Sequence, residues 1–386
     1  MNWSIFGILS ALSFGIQGTI AYELLDVQGF GSAAVNTIIH CIFAIFGLAF
    51  IYLTKNYDII ISITNILNNY KGLIILAGIC ALLGNVLLYW AYQLGTDINP
   101  GIITTISNGA VIISTLLAYF IFKKSVSIKQ IIGIGVMLIA FTMGALGNKL
   151  FGIKEGLESR SKRTQVKNNN TNRDNDNTDD ETANKKTETQ ENSKENSQQK
   201  STTSKDVENK SDSKSDSKST TKKKESTSPF WIIVSILSAF AYAGLSFFQY
   251  IVTQKAPKMN MIALAIMVAV VEAIIGIIIY LITFIPSLSD IIEKGPFANY
   301  RRDFNKLLNI KYYLFTFFPA LFDGAGLTTL LQSYKLAPNP GFSDTISDAY
   351  SVVQSILTWI IYGKSMDFTQ IVSIIVSIVG IALIST

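Results

Sequence analysis

The sequence predicts an all-α integral membrane protein of about ten transmembrane helices, laid out as two inverted five-helix repeats. Apolar runs of roughly 20 residues recur on both sides of a hydrophilic centre, each long enough for a hydrocarbon core about 30 Å thick. Two stretches are near-copies: Asn99-Pro100-Gly101, Thr105-Ile106-Ser107, Lys124-Ser125 and Gln130 return as Asn339-Pro340-Gly341, Thr345-Ile346-Ser347, Lys364-Ser365 and Gln370, at a constant offset of 240. A smaller echo, Ile8-Leu9-Ser10-Ala11 against Ile236-Leu237-Ser238-Ala239, marks the start of each copy. An odd number of spans per copy makes the second enter the membrane from the opposite side, an inverted repeat with its pseudo-two-fold axis in the membrane plane.

The first repeat, residues 1–149, holds spans at about 3–23, 33–53, 72–94, 98–122 and 129–147. The first of these has no basic n-region and no small-residue cleavage pattern, so it reads as a retained helix rather than a signal peptide. Cys41 and Cys80 fall inside spans as small apolar residues, with no disulfide framework and no zinc spacing. Residues 150–228 form a low-complexity hydrophilic loop. Within it, 154–225 is Lys, Asn, Ser, Thr, Asp and Glu with too little apolar area to offset chain entropy, and so is expected to be disordered. That segment holds 17 of the 32 Lys and Arg and 15 of the 27 acidic residues, a net charge of only +2. The basic balance of the chain therefore gives no reason to expect nucleic acid as a partner. The second repeat, 229–386, holds spans at about 229–252, 260–284, 312–336, 339–362 and 369–385.

Charge sets an orientation. The connections after the second and fourth spans carry Lys55, Lys71, Lys123, Lys124 and Lys129, while those after the first and third carry no Lys or Arg. The positive-inside rule then places the N-terminus in the cytoplasm and the long loop outside the cell membrane. The connection between the seventh and eighth spans cuts against this, since it carries Lys294, Arg301, Arg302, Lys306 and Lys311. With Leu307 and Leu308, these residues read as a membrane-surface segment.

The order Asn-Pro-Gly, apolar helix, short basic turn, then Gln-Ile-Ile-Gly-Ile-Gly-Val-Met-Leu-Ile-Ala-Phe at 130–141 resembles the end of an EamA-type repeat of the drug/metabolite transporter superfamily. Gln370 to Ser385, with Gly380, resembles the same element. Members usually carry a Glu in the turn between the last two helices of a repeat, where this chain has Lys124 and Lys364. The resemblance implies a ten-helix transporter of small metabolites, with a central cavity lined by the first, third and fourth helices of each half.

Ionisable groups inside an apolar span cost roughly 2.5–3.5 kcal/mol at the helix centre on insertion scales, so each needs a reason. Asp344 and Asp348 stand four residues apart on one face of the ninth span, continued by Ser347, Ser351, Gln354 and Ser355. Such a stripe faces protein or water, and two neighbouring carboxylates suit a proton or a cationic substrate group. Helix capping is the plainer alternative. Thr104 and Asn108 are their neutral counterparts in the first copy, with interhelical hydrogen bonding as the alternative. Asp323 lies mid-span in the eighth helix beside Gly324 and Gly326, with Ala81 as its counterpart. Gln17, Asn85, Tyr89 and Tyr242, with Tyr92 and Gln249, belong to helices that the resemblance makes cavity-lining, and amide-plus-aromatic surfaces suit a small polar solute. Glu272 and His40, the only histidine, are weaker candidates on second helices that the resemblance makes peripheral. Lys124 and Lys364 read as snorkelling to the interface.

Walker A, His-Glu-x-x-His and Gly-x-Ser-x-Gly signatures are absent, so no enzyme, metal or cofactor is expected. The sequence points to a secondary transporter working by alternating access. Its partners are the lipid bilayer, a small-molecule substrate, and a coupled proton or a cationic or zwitterionic cargo. The alternatives are a non-transporting sensor or scaffold acting through the loop, and a lipid-linked substrate flippase.

Overall fold

In the computed structural model, residues 3–96, 98–123, 127–150, 229–337 and 340–385 are described, helical with no strand among them. They form one compact unit. The stretch expected to be disordered, 154–225, lies outside the described residues, as do Lys124 and Asn339.

In the first half the helices are α1 (Trp3–Tyr22), α2 (Ser32–Thr54), α3 (Tyr57–Asn65), α4 (Lys71–Leu94), α5 (Pro100–Ser107), α6 (Ala110–Phe122) and α7 (Ile128–Leu150). The second half contains α8 (Phe230–Lys255), α9 (Met261–Ile282), α10 (Pro286–Ile292), α11 (Tyr300–Leu307), α12 (Tyr313–Leu336), α13 (Pro340–Ser347), α14 (Tyr350–Tyr362) and α15 (Phe368–Ser385). Among the described residues, seven stretches qualify as membrane spans by length and apolarity: Trp3–Val27, Ser32–Thr54, Tyr57–Leu94, Pro100–Ile121, Phe230–Lys255, Met261–Ile282 and Ile310–Leu336. Ile131–Gly144 and Phe368–Gly380 are apolar but shorter. The stretch 340–362 is diluted by Asp344, Asp348 and a run of Ser, Thr and Gln. Bulky side chains such as Ile45, Phe120 and Ile360 are more than 60 % exposed on the outer surface, the pattern of a protein solvated by lipid. The chain is a multi-pass membrane protein.

Local chemistry fixes the helix ends. Asn99 caps α5 by accepting from Gly101 N at 3.0 Å, with Pro100 at the first helical position, where its missing N–H costs nothing. Asn260 caps α9 by accepting from Ile262 N at 2.9 Å. Lys123 ends α6 at φ +55°, and Gly363, the equivalent position, ends α14 at φ +64°, a backbone conformation that glycine adopts without strain.

The fourth span of each half is interrupted where the sequence suggested a continuous helix. At Asn108–Gly109 the bonds shorten to Gly109 N→Ile106 O and Val111 N→Asn108 O, and at Asp348–Ala349 to Ala349 N→Ile346 O and Ser351 N→Asp348 O. Each break is one tight turn between two half-helices, a feature that recurs at hinges.

Helices that occupy equivalent places in the two halves pack antiparallel. Along α2 and α9, Thr37 meets Gly276 and Gly47 meets Ile266. On α7 and α15, Gly144 meets Ser373 and Met137 meets Gly380. Across the interrupted helices, Gly101 meets Ser355 and Asn108 meets Asp348. The first helix of each half packs on the third of the other: Ser10 of α1 donates to Gly326 O of α12, and Ser238 of α8 donates to Gly84 O of α4, each at 2.9 Å.

Candidate functional site

A cavity of about 100 Å³ opens where these helices converge. It is lined from α1 (Phe14, Gln17), α4 (Asn85, Tyr89, Tyr92), the first interruption (Ser107, Asn108), α8 (Tyr242, Ser246, Gln249), α12 (Asp323) and the second interruption (Asp344, Asp348, Tyr350). These are the first, third and fourth helices of both halves. Of the residues singled out in the sequence, Gln17, Asn85, Tyr89, Asn108, Tyr242, Asp323, Asp344 and Asp348 all reach it. Thr104 does not. Its hydroxyl donates to Gln354 Oε1 of α14 at 2.7 Å, and Gln354 Nε2 donates to the Tyr92 hydroxyl at 3.1 Å, so Thr104 ties the two halves together.

The two neighbouring carboxylates are held differently. Asp344 is clamped by hydroxyls from three helices: Ser114 of α6 donates to Oδ2 at 3.0 Å, Ser246 of α8 donates to Oδ1 at 3.2 Å, and Tyr334 of α12 also donates to Oδ1. Asp348 sits in the interruption itself. Its main-chain oxygen accepts from Asn108 Nδ2 at 2.6 Å, while its side-chain Oδ2 is buried with no hydrogen-bond partner. Gln249 is fully buried on the same cavity wall, and neither its Nε2 nor its Oε1 has a partner. A buried acceptor and a buried amide, both unpaired and both on residues that line one cavity, call for a partner, since burying a polar group unpaired costs about 1–3 kcal/mol.

A second polar cluster lies behind this wall. His40 of α2, buried at 2 % exposure, places Nε2 3.2 Å from Glu272 Oε1 of α9 and 3.3 Å from Asp323 Oδ2 of α12. Asn85 Nδ2 contacts Glu272 Oε2 at 3.4 Å, and the Tyr242 hydroxyl donates to Asn85 Oδ1 at 2.6 Å. The second helices expected to be peripheral thus bring both of their ionisable groups inward. The antiparallel α2–α9 contact sets His40 and Glu272 face to face, and α12 closes on them because Gly324 admits the Phe43 ring of α2. Gly326 likewise receives the Phe14 ring of α1.

Sequence reasoning missed the partners of Asp344. Ser114, Ser246 and Tyr334 sit 230, 98 and 10 residues from it along the chain, and nothing local marks them. At one end of the unit, Lys364 is tied down rather than snorkelling: Nζ donates to Thr96 O at 2.7 Å and lies 3.5 Å from Asp26 Oδ2.

The fold and site define a class: a multi-pass helical membrane protein with a small polar cavity at the meeting point of two interrupted helices. Residues 1–144 match the model of the EamA-like transporter family. No curated protein matches the chain.

Proposed function

We propose that the protein is a gradient-driven transporter of a small cationic or zwitterionic metabolite, working by alternating access between two inverted five-helix repeats. One observation carries the reading: Asp348, with an unpartnered carboxylate oxygen, and Gln249, with an unpartnered amide, both line the cavity at the two helix interruptions. Interrupted helices at a repeat interface are where such transporters bind their cargo. In this reading Asp348, backed by Asp344, receives the cationic group, and Gln249, Asn108, Gln17 and Asn85 orient the remainder. At ~30 Å³ per water in the liquid, the cavity has the volume of about three waters, which favours a small cargo.

The inversion is supported by the antiparallel packing of equivalent helices. It is also supported by the contact of Asn108 with Asp348, residues related by the 240-residue offset, because only residues beside the axis relating two repeats can touch their own counterparts. The basic 294–311 connection docks at the same end as 28–32, with Gly31 N donating to Asp303 Oδ2 and Ser32 Oγ to Pro296 O, as two inverted halves require. With the N-terminus cytoplasmic, that end and the long loop are extracytoplasmic.

The test is counterflow in proteoliposomes across amines, amino acids, sugars and nucleosides, with the full chain and with 154–225 deleted. Saturable counterflow of a cationic or zwitterionic solute, retained after the deletion, is the expected result. Absence of counterflow across the panel from folded protein refutes the reading. Activity that disappears with the loop favours the scaffold reading, and activity confined to lipid-linked substrates favours the flippase.

A further inference from the structure

The His40 cluster has a hydrogen-bond arithmetic of its own. His40 Nδ1 lies 2.9 Å from the main-chain oxygen of Asn36. A carbonyl only accepts, so Nδ1 carries hydrogen, an assignment made from the hydrogen-bond network. A neutral imidazole then presents a bare lone pair at Nε2, and that lone pair faces two carboxyl oxygens at 3.2 and 3.3 Å. Three acceptors cannot share so small a space without a hydrogen between them. The arrangement therefore requires a proton, held on Nε2 or on one of the carboxyls.

The groups facing His40 are few. Glu272 comes from α9 and Asp323 from α12, while Tyr89 of α4 stands near both carboxylates. Tyr300 of α11 lies one turn away and is engaged with Thr37 and with Gly276 O. Cys41 follows His40 on α2 itself. Among the described residues, no Lys or Arg forms an ion pair with Glu272 or Asp323. With imidazolium and two carboxylates the cluster carries a net charge of −1 inside the membrane, and one further proton neutralises it. Membrane interiors penalise uncompensated charge, so the cluster is built to take up and give back that proton.

Its connection to the cavity is direct. Asp323 belongs both to the cluster and to the cavity wall, and Glu272 reaches the wall through Asn85 and Tyr242. His40 and Glu272 do not line the cavity. We propose that His40, Glu272 and Asp323 form the site at which transport is coupled to protons, a proton-binding centre behind the substrate cavity and read out through Asp323. This rests on the transport reading above and adds a second charged centre to it. A cation in the cavity that draws on Asp323 withdraws that carboxylate from His40, and one proton leaves the cluster for the water on the side to which the cavity is open. Restoring the proton releases the cation. Proton and cation therefore oppose each other's binding by equal factors, as linkage requires.

The experiment has two readouts. In proteoliposomes, accumulation driven by a pH gradient is compared with counterflow at equal pH for wild type, His40→Gln and Glu272→Gln. The expected result is gradient-driven accumulation reduced by about tenfold or more in both variants while counterflow persists, since only the coupling is removed. Gradient-driven accumulation equal to wild type in both variants overturns the proposal. Because His40 is the only histidine, ¹⁵N-histidine labelling gives a spectrum with a single imidazole, which reads the cluster without any transport. Nδ1 is expected to carry hydrogen throughout, and Glu272→Gln and Asp323→Asn are each expected to change the protonation of Nε2. An imidazole indifferent to both substitutions overturns the centre. Wild type without counterflow refutes the transport reading instead and leaves the imidazole spectrum to decide the proton centre.

Discussion

Replacing Asp348 with Asn separates a binding carboxylate from a structural one, because the two roles move stability and affinity in opposite directions. The substitution is nearly isosteric, and it leaves untouched the main-chain oxygen that accepts from Asn108 at 2.6 Å, so the helix interruption survives. The side-chain oxygen it alters is buried without a partner. Removing a charge that the resting protein does not satisfy costs the fold nothing and relieves a desolvation penalty, so the unfolding temperature is expected to hold or rise. For a bound ammonium group the same change is costly. Two opposite charges about 4 Å apart at an effective dielectric near 20 attract by about 4 kcal/mol. After part of that is spent on desolvation, about 2–3 kcal/mol remains, or roughly 30- to 150-fold in apparent affinity. Substrate-concentration series of counterflow, run beside fluorescence-detected thermal unfolding of the same preparations, measure both quantities. A fall of several degrees in unfolding temperature with unchanged half-saturation would refute the reasoning and make Asp348 a packing residue.

Gln249→Leu is expected to preserve or raise thermal stability, since it removes a fully buried amide with no partner. It is also expected to weaken substrate half-saturation by about tenfold, the cost of a lost hydrogen bond to a polar cargo; unchanged half-saturation removes Gln249 from the site. Gly101→Ala places a Cβ onto the Ser355 side chain and 2.7 Å from Ser351 O, where the interrupted helices cross. Overpacking of about 1–3 kcal/mol follows, visible as a lower unfolding temperature, and unaltered unfolding would show that the crossing is looser than described. Asp303→Ala removes the acceptor that caps α2 at Gly31 N from a distance of 2.9 Å. A loss of about 1–2 kcal/mol is expected on thermal unfolding, with the α2 N-terminus exchanging amide hydrogens faster, and unchanged exchange there would discount the cap.

Helix positions were legible because they depend on local information. Most ends of the expected spans fall within three residues of helix ends, although the first and third run on as Trp3–Val27 and Tyr57–Leu94, and the 240-residue offset pairs α5–α6 with α13–α14 before any contact is known. The cavity-lining set was legible in another way. A carboxylate or amide in an apolar run must face inward, so Asp323, Asp344, Asn85 and Gln17 could be selected one at a time. The interruptions were not legible as breaks. Asn108-Gly109 is a weak signal and Asp348-Ala349 none, because the turn keeps right-handed backbone angles and loses only its regular hydrogen bonds. Which residues meet was not legible either. His40 and Glu272 looked peripheral because a second helix shows its inward face only once α2 and α9 are paired in register. Tyr334, Ser114 and Ser246 are ordinary residues until three helices aim them at one carboxylate.

The contacts also divide the two polar centres between the halves of the chain. Each carboxylate of the two polar centres, Glu272, Asp323, Asp344 and Asp348, belongs to the second half, while His40, Asn85 and Ser114, which bond or contact three of them, come from the first, as does Asn108, which donates to the main-chain oxygen of Asp348. In the contacts of Asn85, Asn108 and Ser114 the first half donates and the second accepts, whereas Tyr242 of the second half donates to Asn85 of the first. In the alternating-access proposal, rocking one half against the other changes these contacts, because each of them crosses the interface between halves. A proton or cation held by the second half alone could ride through such a movement without consequence. One held between the halves cannot, since its partners are exchanged as the interface shifts, and that is the physical condition for linking occupancy to the direction in which the cavity opens.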